Sequence, residues 1–447
     1  MTVSTTEQGA PGADDSGHPR GLSTLFFTEM WERFSYYGMR AFLILYMVAP
    51  ADAGGLGFSD QQAASIYGTY TGSAWLAAIF GGLVADRLIG AYRSVFLGGL
   101  TIALGHLALV FTSLPFFYTG LGLIVVGTGL LKPNVSSLVG SLYREGDTRR
   151  DAGFSIFYMG INLGAFIGPL VAGYIAQRVD WHMGFGVAAI GMGLGLVQYV
   201  LGKKHLQPAI DRIAAARART VSATVSAGPT RLTGAEWGRI GVVIVFFAFA
   251  SLFWGAYEQA GSTLNLFADR YTRLSMAGWT FPSSWFQSVQ ALFVILLAPA
   301  FAWVWSSLGR REPSSPAKFA LGLLFAGLAF LLLVPAGSMA QADAAVRVSP
   351  WWLIGSYFVQ ELGELCLSPV GLSLVTKLSP ARLVGLMMGV WFLSNAVGNK
   401  LAGWTAGFFS TLPLTSIFGT IAAVNVLAAV LLFALIGPLK RLMGDVK

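Results

Sequence analysis

The sequence predicts an all-α integral membrane protein with twelve transmembrane helices arranged as two six-helix bundles. Three observations support this fold class: the composition, a series of apolar runs of membrane-spanning length, and a one-sided distribution of basic residues. Of the 447 residues, 55% are hydrophobic and 11% are charged, and the mean hydropathy is +0.65. A soluble domain has about 25% charged residues. The composition therefore excludes an ordinary soluble domain.

Twelve apolar runs are long enough to cross a bilayer, whose hydrocarbon core requires about 20 apolar residues of helix. They lie near residues 22–49, 62–85, 94–112, 117–143, 153–177, 183–202, 239–264, 283–306, 318–336, 351–376, 384–408 and 415–438. Prolines fall within several of these spans, where neighbouring helices can satisfy the backbone groups that a kink releases; among them are Pro133, Pro169, Pro299 and Pro369.

The basic residues test the number and the direction of the spans, because cytoplasmic loops are enriched in Lys and Arg. Of the 29 basic residues, twenty-one lie in segments on the side of the termini and four on the opposite side. Both termini are therefore expected in the cytoplasm. The net charge of +8 reports this topology and does not indicate a nucleic-acid partner. The remaining four basic residues lie within spans: Arg33, Arg40, Lys132 and Lys400.

The longest loop divides the chain into two halves. We expect a disordered tail over 1–21, a six-helix bundle over 22–202, a cytoplasmic linker over 203–238, a second six-helix bundle over 239–441 and a short tail over 442–447. The tail before Gly21 has no apolar core, so we expect no cleavable signal peptide. Residues 209–220 of the linker are compatible with an amphipathic helix at the membrane surface or with a flexible tether.

The first span carries a stripe of polar side chains that is costly to place in lipid. One charge at the centre of a bilayer costs roughly 2.5–3.5 kcal/mol even on insertion scales. Because a helix advances about 100° per residue, the stripe occupies about 140° of one face, which must turn toward protein or a water-filled cavity. A functional site and a static ion network that locks the helix in place both remain open. The stripe consists of Glu29, Glu32, Arg33, Tyr36, Tyr37 and Arg40.

A series of motifs along the chain resembles the proton-dependent oligopeptide transporter family, which has the major facilitator fold. The first is the stripe itself, and the others follow in the expected order on the expected helices. They are Gly81-Gly82 with Asp86-Arg87 and Arg93, Lys132-Pro133-Asn134, Phe157-Tyr158 with Asn162 and Gly164, Phe253-Trp254 with Glu258-Gln259, Gly363-Glu364 with Ser368-Pro369, and Trp391-Phe392 with Ser394-Asn395.

The chain departs from the family pattern at several places. The linker is too short and too charged for the two additional helices that many bacterial members carry between their bundles. Trp75 occupies a position often held by tyrosine, and Gln290 one often held by asparagine. Glu361 is an additional acid one turn before Glu364, and it suits either the cavity or a helix contact. Substrate preference is therefore less certain from sequence than mechanism.

The resemblance implies a binding site for short peptides, which carry an ammonium at one end and a carboxylate at the other. Arg33, Lys132 and Arg40 suit the carboxylate, because arginine can bind it with two parallel hydrogen bonds. Glu364, in the other bundle, suits the ammonium, so that a peptide would bridge the two halves. The other expected binding residues, whose aromatic members also suit ordinary packing, are Tyr36, Tyr37, Tyr70, Asn162, Gln290, Ser368, Trp391 and Ser394.

Proton coupling requires carboxylates whose protonation changes with burial and partners. The candidates are Glu29, Glu32 and Glu258, with Arg33 and Lys132 as partners, and which of the two first-helix glutamates titrates is open. The resemblance implies that Glu258 pairs with Arg40 at an extracellular gate. It also implies that Asp86 and Arg87 form a latch on the cytoplasmic face.

We therefore expect a monomeric, proton-coupled symporter in the inner (plasma) membrane that imports di- and tripeptides by alternating access. Its expected partners are short peptides, protons and the bilayer, with no nucleic acid, cofactor or metal. A transporter of the same fold that carries a peptide-like drug, nitrate or another metabolite is the closest alternative. A membrane enzyme is disfavoured because the four histidines show no metal-binding spacing. A receptor-like protein also remains an alternative.

Overall fold

Long helices make up most of the computed structural model, which describes residues 17–144, 146–224, 232–276, 278–343, 345–380 and 383–443. The first half contains α1 (Gly21–Val48), α2 (Asp60–Val84), α3 (Ala91–Ala108), α4 (Leu114–Ser141), α5 (Arg150–Gly168), α6 (Tyr174–Arg178) and α7 (Trp181–Leu201). A π-helical segment, Pro169–Gly173, joins α5 to α6 into one span. Proline has no N–H to donate to the preceding turn, which explains why the regular helix is interrupted there.

The second half follows the linker helix α8 (Lys203–Thr224). It contains α9 (Gly234–Tyr257), α10 (Thr263–Tyr271), α11 (Phe286–Leu308), α12 (Ser315–Ala342), α13 (Trp351–Leu378), α14 (Val384–Ala406) and α15 (Leu414–Met443). A 3-10 turn, Glu258–Gly261, joins α9 to α10 within one span. Between α10 and α11 lies a small antiparallel hairpin of β1 (Ser275–Met276) and β2 (Trp279–Thr280).

Nine of the described helical segments are long and apolar enough to cross a membrane. Together with α1, α3 and α14, and leaving aside the polar linker helix α8, the described part of the chain is consistent with the predicted twelve spans. Large apolar side chains are exposed on many of them, including Leu104, Leu194, Leu331, Leu427 and Val430. A soluble monomer rarely exposes such an extended apolar surface. The chain is therefore a multi-pass membrane protein.

Within each bundle some helices each pack against two others. In the first, α1 contacts α5 and α7, and α4 contacts α2 and α3; in the second, α12 contacts α13 and α15. The bundles meet where α2 packs on α14 and α5 on α11. A Cβ atom added to Gly68 would come within 2.8 Å of the Gly403 Cα atom. The α2–α14 contact is therefore a close backbone approach that requires glycine on both sides.

Successive spans alternate in direction, so their ends form two faces. We call the face at which α8 connects the bundles the linker side and the opposite face the remote side. Among the described residues, the hydrogen bonds and ion pairs between the two bundles all lie in the remote half. These polar contacts hold the two bundles together at the remote side.

The observed linker and bundle boundaries differ from the predicted ones. The linker prediction covered 203–238, yet α9 already begins at Gly234. Thr233 and Glu236 form a capping box that starts this helix before the apolar run begins. The last helix continues to Met443, past the predicted bundle end at residue 441. Residues 1–16 of the predicted tail and 444–447 of the other tail lie outside the described residues.

The first part of the linker is a packed helix and not a flexible tether. The helix α8 is longer than the predicted 209–220, and its Leu206 and Ala209 side chains are buried. Arg212 donates hydrogen bonds of 2.8 Å to the carbonyl oxygens of Ser141 and Leu142. These carbonyls follow the last turn of α4, where a cation is favourable. The linker helix therefore closes the end of α4.

Candidate functional site

The charged stripe of α1 faces the protein interior, as the sequence predicts. Glu29, Glu32 and Arg33 are all buried, with Glu32 at 0% exposure. The Arg33 Nε atom lies 3.0 Å from Glu29 Oε1 and forms a second ion pair with Glu32 Oε2. One arginine thus balances two adjacent acids. Because the three charges sum to −1 inside the protein, this group favours a further cation or a proton.

Two tyrosines continue the same face of α1. The rings of Tyr36 and Tyr37 pack edge to face with centroids 5.2 Å apart. The Arg33 guanidinium lies 5.5 Å from the Tyr36 ring and that of Arg40 lies 5.7 Å from the Tyr37 ring, both within cation–π range. Tyr37 remains half-buried. The aromatic side chains therefore separate two arginines along one helix face.

The predicted contact between Arg40 and Glu258 is confirmed. The Arg40 NH2 atom donates to Glu258 Oε2 at 2.5 Å, and both side chains are buried. This ion pair joins α1 to the end of α9, and so links the two bundles in their remote half. The Nε atom of Arg40 donates to the Tyr67 hydroxyl at 2.7 Å. Tyr67 was missed from sequence, because nothing in the order of residues relates α2 to this arginine.

A second ionic contact closes the remote side nearer its surface. Arg270 donates two hydrogen bonds, of 2.6 and 2.7 Å, to the carboxylate of Asp60. Ser410 donates to the same carboxylate. This contact was also missed from sequence. Its only signal was that Arg270 is one of the few basic residues on that side of the predicted topology.

Lys132 does not pair with an acid in this conformation. Its Nζ atom lies 3.0 Å from the centroid of the Trp75 ring, and no carboxylate oxygen of a described residue lies within 4.0 Å of it. The Trp75 ring also stacks on Phe392 of the second bundle, with centroids 6.1 Å apart. The expected partnership of Lys132 with a first-helix glutamate is therefore not formed here. Lys132 instead contacts Trp75, which the sequence analysis identified only as a departure from the family pattern.

The opposite wall of the site contains two acids one turn apart on α13. Glu361 is fully buried and accepts a hydrogen bond of 2.9 Å from the Tyr257 hydroxyl. This contact supports a packing role for Glu361. Ser368 lies one turn after Glu364, whose Oε2 atom has no hydrogen-bond partner among the described residues. No described cation lies within 4.0 Å of either acid.

Other predicted binding residues use their polar groups within the protein. Asn162 Nδ2 donates to the Tyr158 carbonyl oxygen at 3.0 Å, one turn earlier on α5. The Ser394 hydroxyl donates to the Trp391 carbonyl oxygen at 2.6 Å and is fully buried. Gln290 donates to Gln360 at 3.4 Å, which joins α11 to α13. The amide oxygens of Asn162 and Gln290 take no part in these hydrogen bonds and can accept one from a substrate.

Two aromatic side chains near the site have buried polar groups without partners in the described part of the chain. The hydroxyl of Tyr70 and the indole Nε1 of Trp254 have no hydrogen-bond partner among the described residues. Native proteins leave few such groups unpaired, so each indicates a water or ligand that completes it. Both residues carry aromatic rings, and therefore fit the predicted contact with a peptide backbone.

The predicted latch residues Asp86 and Arg87 are exposed at the linker side. They lie in a π-helical segment, Ala85–Ile89, that ends α2. Among the described residues neither forms an ion pair or a side-chain hydrogen bond. This observation agrees with the finding that, among the described residues, the hydrogen bonds and ion pairs between the bundles lie in the remote half. The latch itself stays a prediction.

Comparison with known proteins identifies relatives along most of the chain. The family model described as PTR2, POT family, matches residues 92–226 and 210–426. The peptide transporter YePEPT of Yersinia enterocolitica is 37% identical, with 100% of this chain and 99% of the relative covered. The di-/tripeptide transporter of Lactococcus lactis subsp. cremoris is 36% identical over 96% and 98%. A crystal structure of the peptide transporter POT, a Glu-to-Gln mutant in complex with alafosfalin, superposes with a TM-score of 0.88 at 43% identity, with 98% of both chains covered.

Proposed function

Because this chain belongs to the POT family, we propose that it is a proton-coupled symporter that imports di- and tripeptides by alternating access. The relatives' names support the substrate class. We further propose that it acts as a monomer in the inner (plasma) membrane, with both termini and the linker side in the cytoplasm. The remote side is then extracellular, and the conformation described above has its extracellular side closed.

The observation that most strongly supports peptide binding is the uncompensated Glu364 on the second bundle. A buried carboxylate without a cation is unfavourable, and a peptide ammonium would supply the missing charge. On the first bundle, Arg33 and Lys132 offer positive charge to the peptide carboxylate. A zwitterion with both ends bound would draw the two bundles together. The half-buried Tyr37 and the partnerless Tyr70 and Trp254 would contact its backbone.

Proton coupling is assigned to the ion pair of Arg40 with Glu258. A proton on Glu258 removes its negative charge and therefore the attraction that holds α1 to the end of α9. The remote side can then open to admit peptide. The bound peptide then draws the bundles together while the proton is still on the protein. Release of the proton and the peptide at the linker side restores the ion pair, which keeps the remote side closed. Glu29 and Glu32, which share one arginine, would provide a second place where a proton is taken up.

The proton gradient sets an upper limit to accumulation. Moving one charge through 100 mV yields about 2.3 kcal/mol, and one pH unit yields about 1.4 kcal/mol. Together, roughly 3.7 kcal/mol per proton supports about 500-fold accumulation of a peptide without net charge. Because a zwitterion brings no net charge, its uptake with a proton must be electrogenic.

Counterflow of a labelled dipeptide into liposomes loaded with unlabelled dipeptide tests this function. We expect label to accumulate transiently without a proton gradient, and an inward gradient to drive sustained uptake. Competition by alanine dipeptides, nitrate and a peptide-like drug, each at equal concentration, separates the peptide transporter from the same-fold alternatives. Absence of exchange with every dipeptide tried would refute the proposal.

A further inference from the structure

Lys400 is the one basic residue within the predicted spans that the proposed transport site does not use. Arg33, Arg40 and Lys132 all belong to that site, whereas Lys400 is exposed on the outer surface of α14. A lysine in contact with lipid is costly unless its ammonium reaches the interface or a partner. Its presence there therefore requires an explanation of its own.

Lys400 lies in a groove between α2 and α14. The groove has a volume of about 370 Å³, and Gly68, Gly403 and Gly407 are among its lining residues. Thr411 also lines it, but its hydroxyl already donates to the Phe408 carbonyl oxygen, so the remaining donors belong to Lys400, Gln61 and Ser65. These groups form a set of hydrogen-bond donors around one positive charge, which is the chemistry that binds phosphate oxygens.

No described acid neutralises this charge. Lys400 Nζ donates to the Thr69 hydroxyl at 2.6 Å, and no carboxylate oxygen of a described residue lies within 4.0 Å of it. Asp60, at the start of α2, already holds both hydrogen bonds of Arg270. The groove is thus positively charged and complementary to an anion.

The position of the groove indicates an occupant from the membrane. Lys400 lies six residues before the end of α14 at Ala406, which is about 9 Å of helix. The Lys400 ammonium lies at Thr69, nine residues after the start of α2 at Asp60, so a phosphate would reach it by entering the groove from the interface. Trp404, one turn on and 64% exposed, has the amphipathic ring that is typical of the headgroup level. The lining residues Gln61 and Thr411 mark the end of the groove at the remote face.

We propose that this groove binds the phosphate of an anionic phospholipid of the phosphatidylglycerol type, with its acyl chains along the exposed apolar surface beside α14. The phosphate contacts Lys400 and the donors of Gln61 and Ser65. One wall of the groove comes from each bundle, so the lipid stabilises the arrangement that is closed at the remote side. The binding itself does not depend on the identity of the transported solute.

Photo-crosslinking with the purified full-length protein tests the site. The probes are photoactivatable phosphatidylglycerol and the matched phosphatidylcholine, and mass spectrometry maps the label to residues 61–69 and 400–411. We expect phosphatidylglycerol to label these segments and Lys400→Gln to require about fivefold more lipid, as one basic residue near an anionic surface contributes about 1 kcal/mol. Lys400→Arg should keep the labelling, and Lys440→Gln, an exposed lysine at the linker side, should leave it unchanged.

Three results would overturn the proposal. Equal labelling by both lipids would mean an apolar surface without headgroup recognition. Competition by millimolar inorganic phosphate in detergent would mean a site for the free ion. Labelling by phosphatidylglycerol that survives Lys400→Gln would remove the residue on which the site depends. A thermal-shift measurement shows that the variant is folded, and phosphatidylglycerol should raise its Tm less than that of the unmodified protein.

Discussion

The two walls of the candidate site balance their charges in different ways. On α1, Arg33 holds Glu29 and Glu32, and Arg40 reaches across to Glu258. On α13, by contrast, two acids share no cation at all among the described residues. One wall is a preassembled ion network, and the other is an acceptor whose counter-charge is missing.

This difference indicates a division of labour. Removing one partner of a buried ion pair leaves an uncompensated charge, so changes on the first wall should affect the conformational cycle itself. Among the described residues the second wall has no ion pair to break, so loss of the Glu364 charge should affect peptide binding and not the conformational cycle. The following substitutions test that distinction.

The largest effect is expected for Glu258→Gln. The glutamine cannot carry a proton or a charge, so accumulation driven by a proton gradient should fall from its limit of about 500-fold to about onefold, while counterflow continues. Uptake and counterflow in the same liposomes measure both quantities. Glu312→Gln, which alters an ion pair with Lys318 outside the site, serves as the control. Uphill uptake by Glu258→Gln would contradict the coupling role.

Glu364→Gln should weaken peptide binding without uncoupling. Loss of a charged hydrogen bond is worth roughly 1.5–3 kcal/mol, or about 10- to 150-fold in affinity. The affinity for a dipeptide should fall by this factor, whereas the affinity for an analogue without the amino group should change less than about threefold. Competition against labelled dipeptide compares the two ligands directly. Equal losses for both would exclude contact between Glu364 and the ammonium.

Tyr257→Phe tests whether Glu361 belongs to the packing of the second wall. The substitution removes the donor to the Glu361 carboxyl, and hydrogen bonds between membrane helices contribute about 1 kcal/mol. We expect a lower Tm with little change in peptide affinity. The amide oxygen of Glu361→Gln still accepts the hydrogen bond, so the Tm of this variant should be closer to that of the unmodified protein. A tenfold loss of peptide affinity in either variant would instead place Glu361 in the cavity.

The smallest effect is expected for Trp75→Phe. Phenylalanine keeps the ring beneath Lys132 and beside Phe392, but its cation–π attraction is weaker by a fraction of the ~0.5–2 kcal/mol such contacts provide. We expect at most about a threefold change in dipeptide affinity, and a larger one for Trp75→Leu. Binding measured by competition would show this order. Identical affinities in all three proteins would mean that Trp75 does not position Lys132.

Particular residues show how far sequence reasoning reached. The stripe on α1 was predictable, because charges in an apolar span must share one buried face, and all of its charged members are buried. The pairing of Arg40 with Glu258 was predictable only through the family resemblance. Tyr67, Asp60 with Arg270, and the place of Trp75 under Lys132 were missed. Each depends on which helices pack against one another, within the first bundle or between the two bundles, and local sequence does not contain that information.

The sequence by itself determined the membrane class, the twelve spans, the two halves and the helices that carry the charges, because hydrophobic length and periodicity are local properties. Only the tertiary structure decided which charges are paired, since one rotation or tilt of a helix changes its partners. It placed Lys132 over an aromatic ring, left Glu364 without a cation among the described residues and set Lys400 in a groove between α2 and α14. The local pattern thus specifies the scaffold, and packing between the bundles specifies the chemistry.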